Sequence, residues 1–183
     1  MARAPRNIDP AHQYHLMVRG SNKSTVFYEA TDYDYYRNLI LEAKRKNGVK
    51  IYYYALMPNH AHAQIQPTQR SIAGFLHLTQ LRYSQYFSKK YEIAGHIWQG
   101  HSKAKPIETD AYSIACGTYI EHSPVRANIV KNPEDWASSS YNFYAFGKPD
   151  PLIDVDPRYL RLGNTPEERQ IRYRQSVGKM RPA

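Results

Sequence analysis

Two histidines separated by one residue, His60 and His62, form the pattern with the clearest chemical use in this sequence. On a β-strand, side chains two positions apart point to the same face and lie about 6.5–7 Å apart at the backbone, so two imidazoles can bind one cation. Two protein ligands leave a divalent ion with open positions for a substrate, as a Lewis acid requires. Ligand softness alone favours zinc or manganese over magnesium. The pattern also occurs by chance on strands that bind nothing.

A tyrosine near the end of a predicted helix, Tyr119, is a second candidate. It lies on the apolar stripe of that helix, which by itself is typical of a core residue. Gly117 lies in the same helix interior, where glycine costs about 1 kcal/mol relative to alanine, and it indicates close approach of another group. His122 and Ser123 follow Tyr119 at spacings of three and four residues, so they share its helix face and could each contact a metal beside the tyrosine hydroxyl.

Seven further side chains are candidates for contacts with nucleic acid. The chain has 25 Lys and Arg against 16 Asp and Glu, which gives a net charge of +9, and it contains 17 tyrosines. Positive charge attracts phosphates, and aromatic rings stack on unpaired bases. Each basic side chain taken alone is typical of a solvated surface, so the indication comes from their summed field. The candidates are Arg19, Asn22, Lys23, Arg82, Lys103, Lys105 and Arg126.

Several classes of protein are excluded by composition. The single cysteine, Cys116, excludes an internal disulfide framework and a zinc site built from cysteines. The longest apolar run, residues 51–57, is too short to span a bilayer, and the first ten residues have no apolar signal core. We therefore expect a cytoplasmic protein of the bacterial nucleoid with no membrane partner.

The elements that must position these residues follow from the spacing of apolar side chains. Alternation and composition predict β-strands at residues 14–18, 49–57, 60–66 and 102–108. Helical spacing and capping residues predict helices from Thr31 to Asn47, from Ser71 to Phe87, and from Thr109 to near Pro124. This order is that of an α+β fold, a ferredoxin-like (RRM-like) antiparallel sheet with an added C-terminal helix that carries Tyr119.

The two faces of this sheet are predicted to receive different side chains. The apolar residues of the third strand alternate with His60 and His62, so the histidines lie on the face that the first two helices leave uncovered. On the second strand, Tyr52 and Tyr54 are expected to share one face, where they either stack on bases or pack inside the protein.

The character of the sequence changes after about residue 145. Prolines stand at positions 149, 151 and 157, and residues 158–183 carry seven Lys and Arg against two acidic residues. We therefore divide the chain into a domain at residues 1–148 and a basic, proline-containing C-terminal tail at residues 149–183. A short helix is expected in this tail after Thr165 and Pro166.

The two candidate sites resemble two motifs of a known family. Residues 57–63, MPNHAHA, resemble the MPNHxH motif of the HUH single-strand nucleases in the IS200-like transposase group. Residues 119–130, YIEHSPVRANIV, resemble the tyrosine motif of that group, YIHxNPVRAGLV. Within the group the sequence, including its basic tail, is similar to the REP-associated tyrosine transposases, which act on palindromic repeats. Further matching blocks between about residues 12 and 145 are RGSN at 19–22, Val26-Phe27, Trp98-Gln99, Asp135-Trp136 and SSY at 139–141.

The resemblance implies a metal-dependent nuclease and strand transferase that acts on single-stranded DNA with palindromic hairpins. Tyr119 would attack a scissile phosphate, forming a 5′-phosphotyrosine and freeing a 3′-hydroxyl that can reverse the step. Mg²⁺ or Mn²⁺ held by His60 and His62 would polarise the phosphate. The resemblance therefore implies these two ions in place of the zinc or manganese that ligand softness favours. The third ligand of the family is usually Asn, Gln or Glu, but Ser123, which is shorter and a weaker ligand, stands there, with His122 as a conceivable substitute. Asn128 replaces a glycine of the motif and tolerates the same left-handed backbone.

Two other functions are compatible with the sequence. One is a non-catalytic RRM-like module that binds single-stranded nucleic acid by stacking bases on tyrosines, and the other is a degenerate HUH protein that binds without cutting. The catalytic function is favoured because base-stacking modules need aromatic residues on the two central strands, whereas the third strand here presents histidines. A monomer is expected rather than a dimer.

Overall fold

In a computed structural model, which describes residues 8–69, 72–100 and 102–179, the chain forms a four-stranded sheet with helices on both faces. The strands are β1 (Gln13–Arg19), β2 (Val49–Met57), β3 (His60–Pro67) and β4 (Lys103–Ile107). The long helices of the first 122 residues are α1 (Ala30–Asn47), α2 (Ala73–Tyr91) and α3 (Asp110–Glu121). The later helices are α4 (Ser123–Arg126), α5 (Tyr141–Phe146), α6 (Pro157–Leu160) and α7 (Pro166–Lys179). Short 3₁₀ turns cover Ser21–Lys23 and Pro133–Asp135.

The strand order in the sheet is β2-β3-β1-β4, and every neighbouring pair is antiparallel. This order and the sequence of elements are those of a ferredoxin-like sheet, so the predicted α+β class with an added helix is confirmed. β1 and β3 occupy the centre, with Arg19 opposite His60 and Met17 opposite His62. The histidines therefore lie on a strand that is held by hydrogen bonds from both sides.

Each face of the sheet has its own apolar core. On one face, α1 and α2 cover Leu16, Val18 and Ile65, which join side chains such as Tyr36 and Tyr83 from the helices. On the other face, α3 and the later helices form a second core. The prediction that α1 and α2 leave the histidine face free is confirmed. Members of the second core include Tyr52, Tyr53, Cys116, Ile120, Tyr144, Tyr173 and Val177.

The tyrosines of β2 do not alternate as predicted. The pairing of β2 with β3 shifts register between Ile51 and Tyr53, so Tyr54 joins Ile51 in the core under α1 while Tyr52 and Tyr53 face α3. The expectation that Tyr52 and Tyr54 share a face is wrong, because an extra residue in one strand reverses the alternation beyond it. All three rings are buried, so they pack inside the protein and offer no stacking surface for bases.

Local signals explain where the helices begin and end. The cap of α1 lies two residues earlier than predicted, at Glu29 instead of Thr31, because Glu29 and Asp32 form a capping box and Thr31 lies inside the first turn. Gly48 ends α1 in the left-handed conformation with φ 58°. Thr109 caps α3 as predicted, since its side chain accepts a hydrogen bond from the backbone N–H of Tyr112. Ser71, the predicted start of α2, lies outside the described residues.

Gly117 in α3 faces the ring of Tyr53. A Cβ atom at this position would lie 2.9 Å from three atoms of that ring, closer than side chains normally approach. The close contact predicted from a glycine inside the helix is therefore confirmed. It brings α3 near enough to β2 for the sheet to set the position of the helix.

The segment that the sequence sets apart as a tail is folded onto the rest of the protein over its described part. Leu152 joins the core under α1, and Tyr159 and Tyr173 join the second core. Lys44 on α1 donates a hydrogen bond to the carbonyl oxygen of Leu152 and forms an ion pair with Asp154. Several basic groups of the segment thus stand on a packed surface rather than on an extended chain. Within the described ranges, no helix has both the length and the apolar character needed to cross a membrane.

Candidate active site

His60 and His62 come directly after the two-residue turn that joins β2 to β3. Their ring centroids lie 4.6 Å apart, with the planes almost perpendicular. His62 is buried at 6% exposure, and His60 is half-buried. The fold therefore brings the two imidazoles together on the face of α3, as the alternation of β3 predicts.

Asn59 determines which nitrogen of His60 carries hydrogen. The side-chain Nδ2 of Asn59 donates to the carbonyl oxygen of Lys23 at 3.1 Å, so its Oδ1 is turned the other way. This oxygen lies 2.6 Å from Nδ1 of His60 and can only accept, so Nδ1 is the N–H donor. The lone pair of His60 is therefore on Nε2, where it is available to a metal ion.

A third histidine, His15 on β1, completes the cluster. Its Nε2 lies 3.0 Å from Nδ1 of His62, and the two rings meet edge to edge with centroids 5.1 Å apart. His15 was not among the residues predicted from the sequence, although β1 and β3 are neighbours in a ferredoxin-like sheet. The alternation of β1 places it on the same face as the histidine pair, and this was the signal that could have found it.

Burial keeps all three imidazoles uncharged near neutral pH. Loss of water around His60, together with the charge of Arg19, lowers its pKa to about 4. For His62, burial and then the neighbouring His60 and His15 lower the pKa to about 3. Burial and the charge of Lys105 also lower the pKa of His15. Neutral imidazole is the form that binds a cation.

Tyr119 lies on the last turns of α3 and faces the histidines. Its ring centroid is 6.2 Å from that of His62 and 6.2 Å from that of His15. The side chain is 49% exposed, so Tyr119 is not a core residue in spite of its position in the helical stripe. The half-exposed side chain lines the cleft beside His15 and His62.

Arg126 is stacked on the ring of Tyr119. The guanidinium carbon lies 3.8 Å from the ring centroid. Nη2 of the same side chain donates to the backbone oxygen of Tyr119 at 2.9 Å and to Oγ of Ser123 at 3.1 Å. Arg126 was predicted only as a contact for DNA, and the structure adds a direct contact with the candidate nucleophile.

Ser123 and His122, which follow Tyr119 in the motif, both make hydrogen bonds within the end of the helix. Oγ of Ser123 donates to the backbone oxygen of Tyr119 at 3.1 Å, which is a bond within the helix end. Nδ1 of His122 lies 3.0 Å from the carbonyl oxygen of Thr118, and its ring packs edge-on against Tyr141. Among the described residues, no group of three or more His, Cys, Asp or Glu side chains is placed to hold a metal. Asn128 has the left-handed backbone expected at its position, with φ 55°.

A cleft of about 480 Å³ opens between the sheet and α3, in front of this cluster. Lys103 and Lys105 on the edge strand β4 line it together with His15, His62 and Tyr119. Both lysines are exposed. The cleft therefore combines the candidate nucleophile, two of the imidazoles and two positive charges.

The other predicted DNA contacts fall into two groups. Arg19 stands beside His60 at the end of β1, and its buried Nε has no hydrogen-bond partner among the described residues. Asn22 and Lys23 occupy an exposed turn with φ 50° and 61°, tied to the His60 end of β3 through Asn59. Arg82 is elsewhere, on α2 at the opposite face of the sheet, where it pairs with a glutamate of α1.

The sequence and the fold were compared with those of known proteins. The IS200-like transposase profile matches residues 10–123, more than half of the chain, and this range includes His60, His62 and Tyr119. A solved REP-associated tyrosine transposase bound to a REP hairpin is similar over 85% of this chain and 93% of that chain, with 19% identity and a TM-score of 0.65. A Deinococcus radiodurans R1 protein assigned as a transposase is similar over 67% of this chain and 97% of its own, with 15% identity and a TM-score of 0.44. No curated protein matches the sequence. The chain belongs to the IS200-like transposase family.

Proposed function

We propose that this transposase cleaves and rejoins single-stranded DNA that carries palindromic, REP-like hairpins, using Tyr119 as the nucleophile. The observation that carries the proposal is the half-exposed Tyr119 ring 6.2 Å from His62, at a basic cleft. The similar fold of a transposase bound to a REP hairpin supports the choice of substrate. With this function, we expect the protein to act as a monomer on chromosomal DNA in the cytoplasm.

The chemistry assigned to Tyr119 keeps the energy of the phosphodiester bond. Its phenol oxygen attacks the phosphorus atom and loses its proton, the bond to the 3′-oxygen breaks, and that oxygen takes up a proton. The product is a 5′-phosphotyrosine with a free 3′-hydroxyl. Because a 3′-hydroxyl can attack the phosphotyrosine in turn, the same residue serves joining as well as cutting. Arg126, which lies on the face of the ring, would hold its orientation.

His60 and His62 are the residues that would hold a divalent ion. They fit such a role because both rings are neutral and Asn59 leaves the Nε2 lone pair of His60 free. Mg²⁺ or Mn²⁺, when bound there, supplies a Lewis acid that polarises the phosphate. Oγ of Ser123 donates its hydrogen to the backbone of Tyr119 and accepts one from Arg126, which leaves one lone pair for an ion. Phosphate and water oxygens are the ligands that these ions readily add.

The basic residues around the cleft would position the DNA backbone. Lys103 and Lys105 lie where a phosphate could pass between β4 and Tyr119. Arg19 and the turn of Asn22 and Lys23 lie at the His60 end of the site. Contacts of this kind fix the register of the strand without reading its sequence.

The test is the formation of a covalent protein–DNA band on a denaturing gel after incubation with a hairpin single strand and Mn²⁺. Tyr119→Phe is expected to abolish the band and to leave hairpin binding nearly unchanged, because only one oxygen is removed. Tyr112 is a matched control, since it is also an exposed tyrosine of α3 at the same cleft. A band that survives in Tyr119→Phe and disappears in Tyr112→Phe would show that the nucleophile is misassigned.

A second candidate, a degenerate protein that binds hairpins without cutting them, is favoured by one observation. The hydroxyl of Ser123 is engaged with the backbone of Tyr119 and with Arg126, and these contacts compete with a role as third ligand. Hairpin binding by the wild-type chain with no covalent band at any Mn²⁺ concentration would favour this second function.

A further inference from the structure

We propose that His15 is a positioning residue for the metal site: its Nε2 accepts the hydrogen of Nδ1 on His62 and thereby presents the Nε2 lone pair of His62 to the ion. The proposal rests on the proposed function, because it concerns the same histidine pair. The contact that carries it is the 3.0 Å separation of the two ring nitrogens.

A hydrogen bond between two imidazole nitrogens needs one hydrogen, which belongs to one ring or the other. If His15 were the donor, the only N–H of neutral His62 would be on Nε2, and no lone pair of His62 would face a cation. If His62 is the donor, its Nε2 is free. Only the second arrangement makes His62 a ligand while this hydrogen bond persists.

His60 is held in the same way as His62 would be if its Nδ1 were the donor. There Nδ1 is held by Oδ1 of Asn59 and Nε2 is left with the lone pair. With His15 as the acceptor behind His62, both ligands are held through Nδ1 and both present Nε2. Each imidazole then has a fixed partner outside the set of ligands, which is how metal-binding histidines are generally oriented.

His15 is well placed to hold an orientation as well as a hydrogen. It lies on β1, which is hydrogen-bonded to both β3 and β4, so its backbone is fixed from two sides. Its ring meets that of His62 edge to edge, with an angle of 29° between the planes. The hydrogen bond therefore lies close to the planes of both rings, and it can define the orientation of His62 as well as its tautomer.

The first measurement is the tautomer of His62 in the metal-free wild-type protein, from the ¹⁵N shifts and ring couplings of its imidazole. We expect hydrogen on Nδ1 and none on Nε2. This result needs no substitution, so it does not depend on whether a variant folds. Hydrogen on Nε2 of His62 would overturn the proposal.

The second measurement is Mn²⁺ affinity by titration calorimetry for two variants. His15→Phe keeps an aromatic ring beside His62 but has no acceptor, and we expect its Kd for Mn²⁺ to rise about 10- to 100-fold, the usual effect of losing an outer partner of a ligand. His15→Gln keeps an acceptor oxygen and should stay within about threefold of wild type, which a purely packing role would not produce. His12→Phe, at an exposed position before β1, is the control and should change nothing.

The outcomes separate this proposal from the function on which it rests. Wild-type affinity in His15→Phe, with His60→Ala and His62→Ala both impaired, would overturn the role of His15 and keep the metal site. A wild-type chain with the expected tautomer that binds no Mn²⁺ would overturn the metal site itself, and with it the presentation of Nε2 to an ion.

Discussion

At the scale of single residues, the contact between Arg126 and Tyr119 is the least expected feature of the site. A guanidinium group on the face of a tyrosine gains about 0.5–1 kcal/mol at exposed positions and more where water is excluded. The two hydrogen bonds of the same group to the backbone of Tyr119 and to Ser123 anchor it at the end of α3. The ring therefore has a defined orientation although half of its surface is open.

Arg126→Leu should slow the formation of the covalent adduct about tenfold, which corresponds to ~1.4 kcal/mol, because the ring then samples unproductive orientations. Single-turnover kinetics on one hairpin substrate measure this effect. Arg82→Leu is the control, since it removes the same charge from α2 on the opposite face of the sheet and should leave the rate unchanged. Equal loss in both variants would mean that only the overall charge matters.

Ser123→Asn should lower the Mn²⁺ concentration needed for half-maximal cleavage, because a side-chain amide reaches further than a hydroxyl and offers a better oxygen ligand. Ser123→Ala should change that concentration little, since the hydroxyl is bonded to the backbone of Tyr119. Metal titrations of both variants on the same hairpin check this. If Ser123→Asn destroys cleavage while Ser123→Ala leaves it unchanged, position 123 does not face the ion and the argument for a third ligand there is wrong.

At the scale of elements, α3 is fixed on both of its sides. Gly117 lets it lie directly on Tyr53 of β2. Two residues after Tyr119, the carboxylate of Glu121 is fully buried and accepts hydrogen bonds from Ser140 and from Tyr173 of α7. Thus the C-terminal helix is tied directly to the helix that carries the candidate nucleophile.

The stability of the protein should depend on pH through Glu121. Burial raises its pKa to about 8, above the value near 4.5 of a free glutamate, although its two hydrogen bonds oppose this change. The folded state therefore binds this proton more tightly than the unfolded state does, and the contribution is complete below about pH 4.5 and lost as the pH rises through about 8. The free energy of unfolding should fall with pH across this window.

Glu121→Gln should remove this decline, because an amide has no proton to lose while keeping a carbonyl oxygen as acceptor. Between pH 5 and pH 8.5 the wild type should lose on the order of 2–4 kcal/mol more than the variant. Urea denaturation at the two pH values measures the difference. Glu134→Gln, at an exposed position, is the control and should follow the wild type.

Local sequence patterns predicted most of the helices and strands, and they failed where contacts between distant parts of the chain determine the structure. Alternation located β3 and both histidines, but it assumes an unbroken register, and the irregularity after Ile51 reversed the faces of Tyr52 and Tyr54. Basic residues dominate the sequence after position 157, so this segment was interpreted as a tail. The two apolar residues Tyr173 and Val177, which lie one helical turn apart on α7 and are buried, were not recognised as core residues. The role of Ser123 depends on the position of Arg126, which spacing alone does not give.

At the scale of the whole molecule, one chain holds both halves of the candidate site. The histidines come from the centre of the sheet, and Tyr119 comes from a helix that follows β4 in the same chain, with rings 6.2 Å apart. The packing of α3 against β2 and α7 holds the helix over its own sheet. No exchange of α3 between two chains is needed to complete the site.

Mixing two inactive variants tests this arrangement. If each chain works alone, Tyr119→Phe mixed with His62→Ala should give no covalent band, because neither chain has a complete site. If two chains exchange α3, the mixture would recover activity, since one of the mixed sites has both residues. The gel described above, together with size-exclusion chromatography of the wild type, distinguishes a self-sufficient monomer from a dimer with shared sites.

The tie between Glu121 and Tyr173 limits how the chain can be shortened in the laboratory. A fragment ended at residue 148 would lose Tyr159 and Tyr173, which pack against Tyr144, and would leave the Glu121 carboxylate with one of its two donors. Aggregation or loss of activity of this fragment would then report damage to α3 and would say nothing about DNA contacts of the removed segment. Charge-neutralising substitutions at its exposed arginines, in the full chain, are the informative way to dissect that segment.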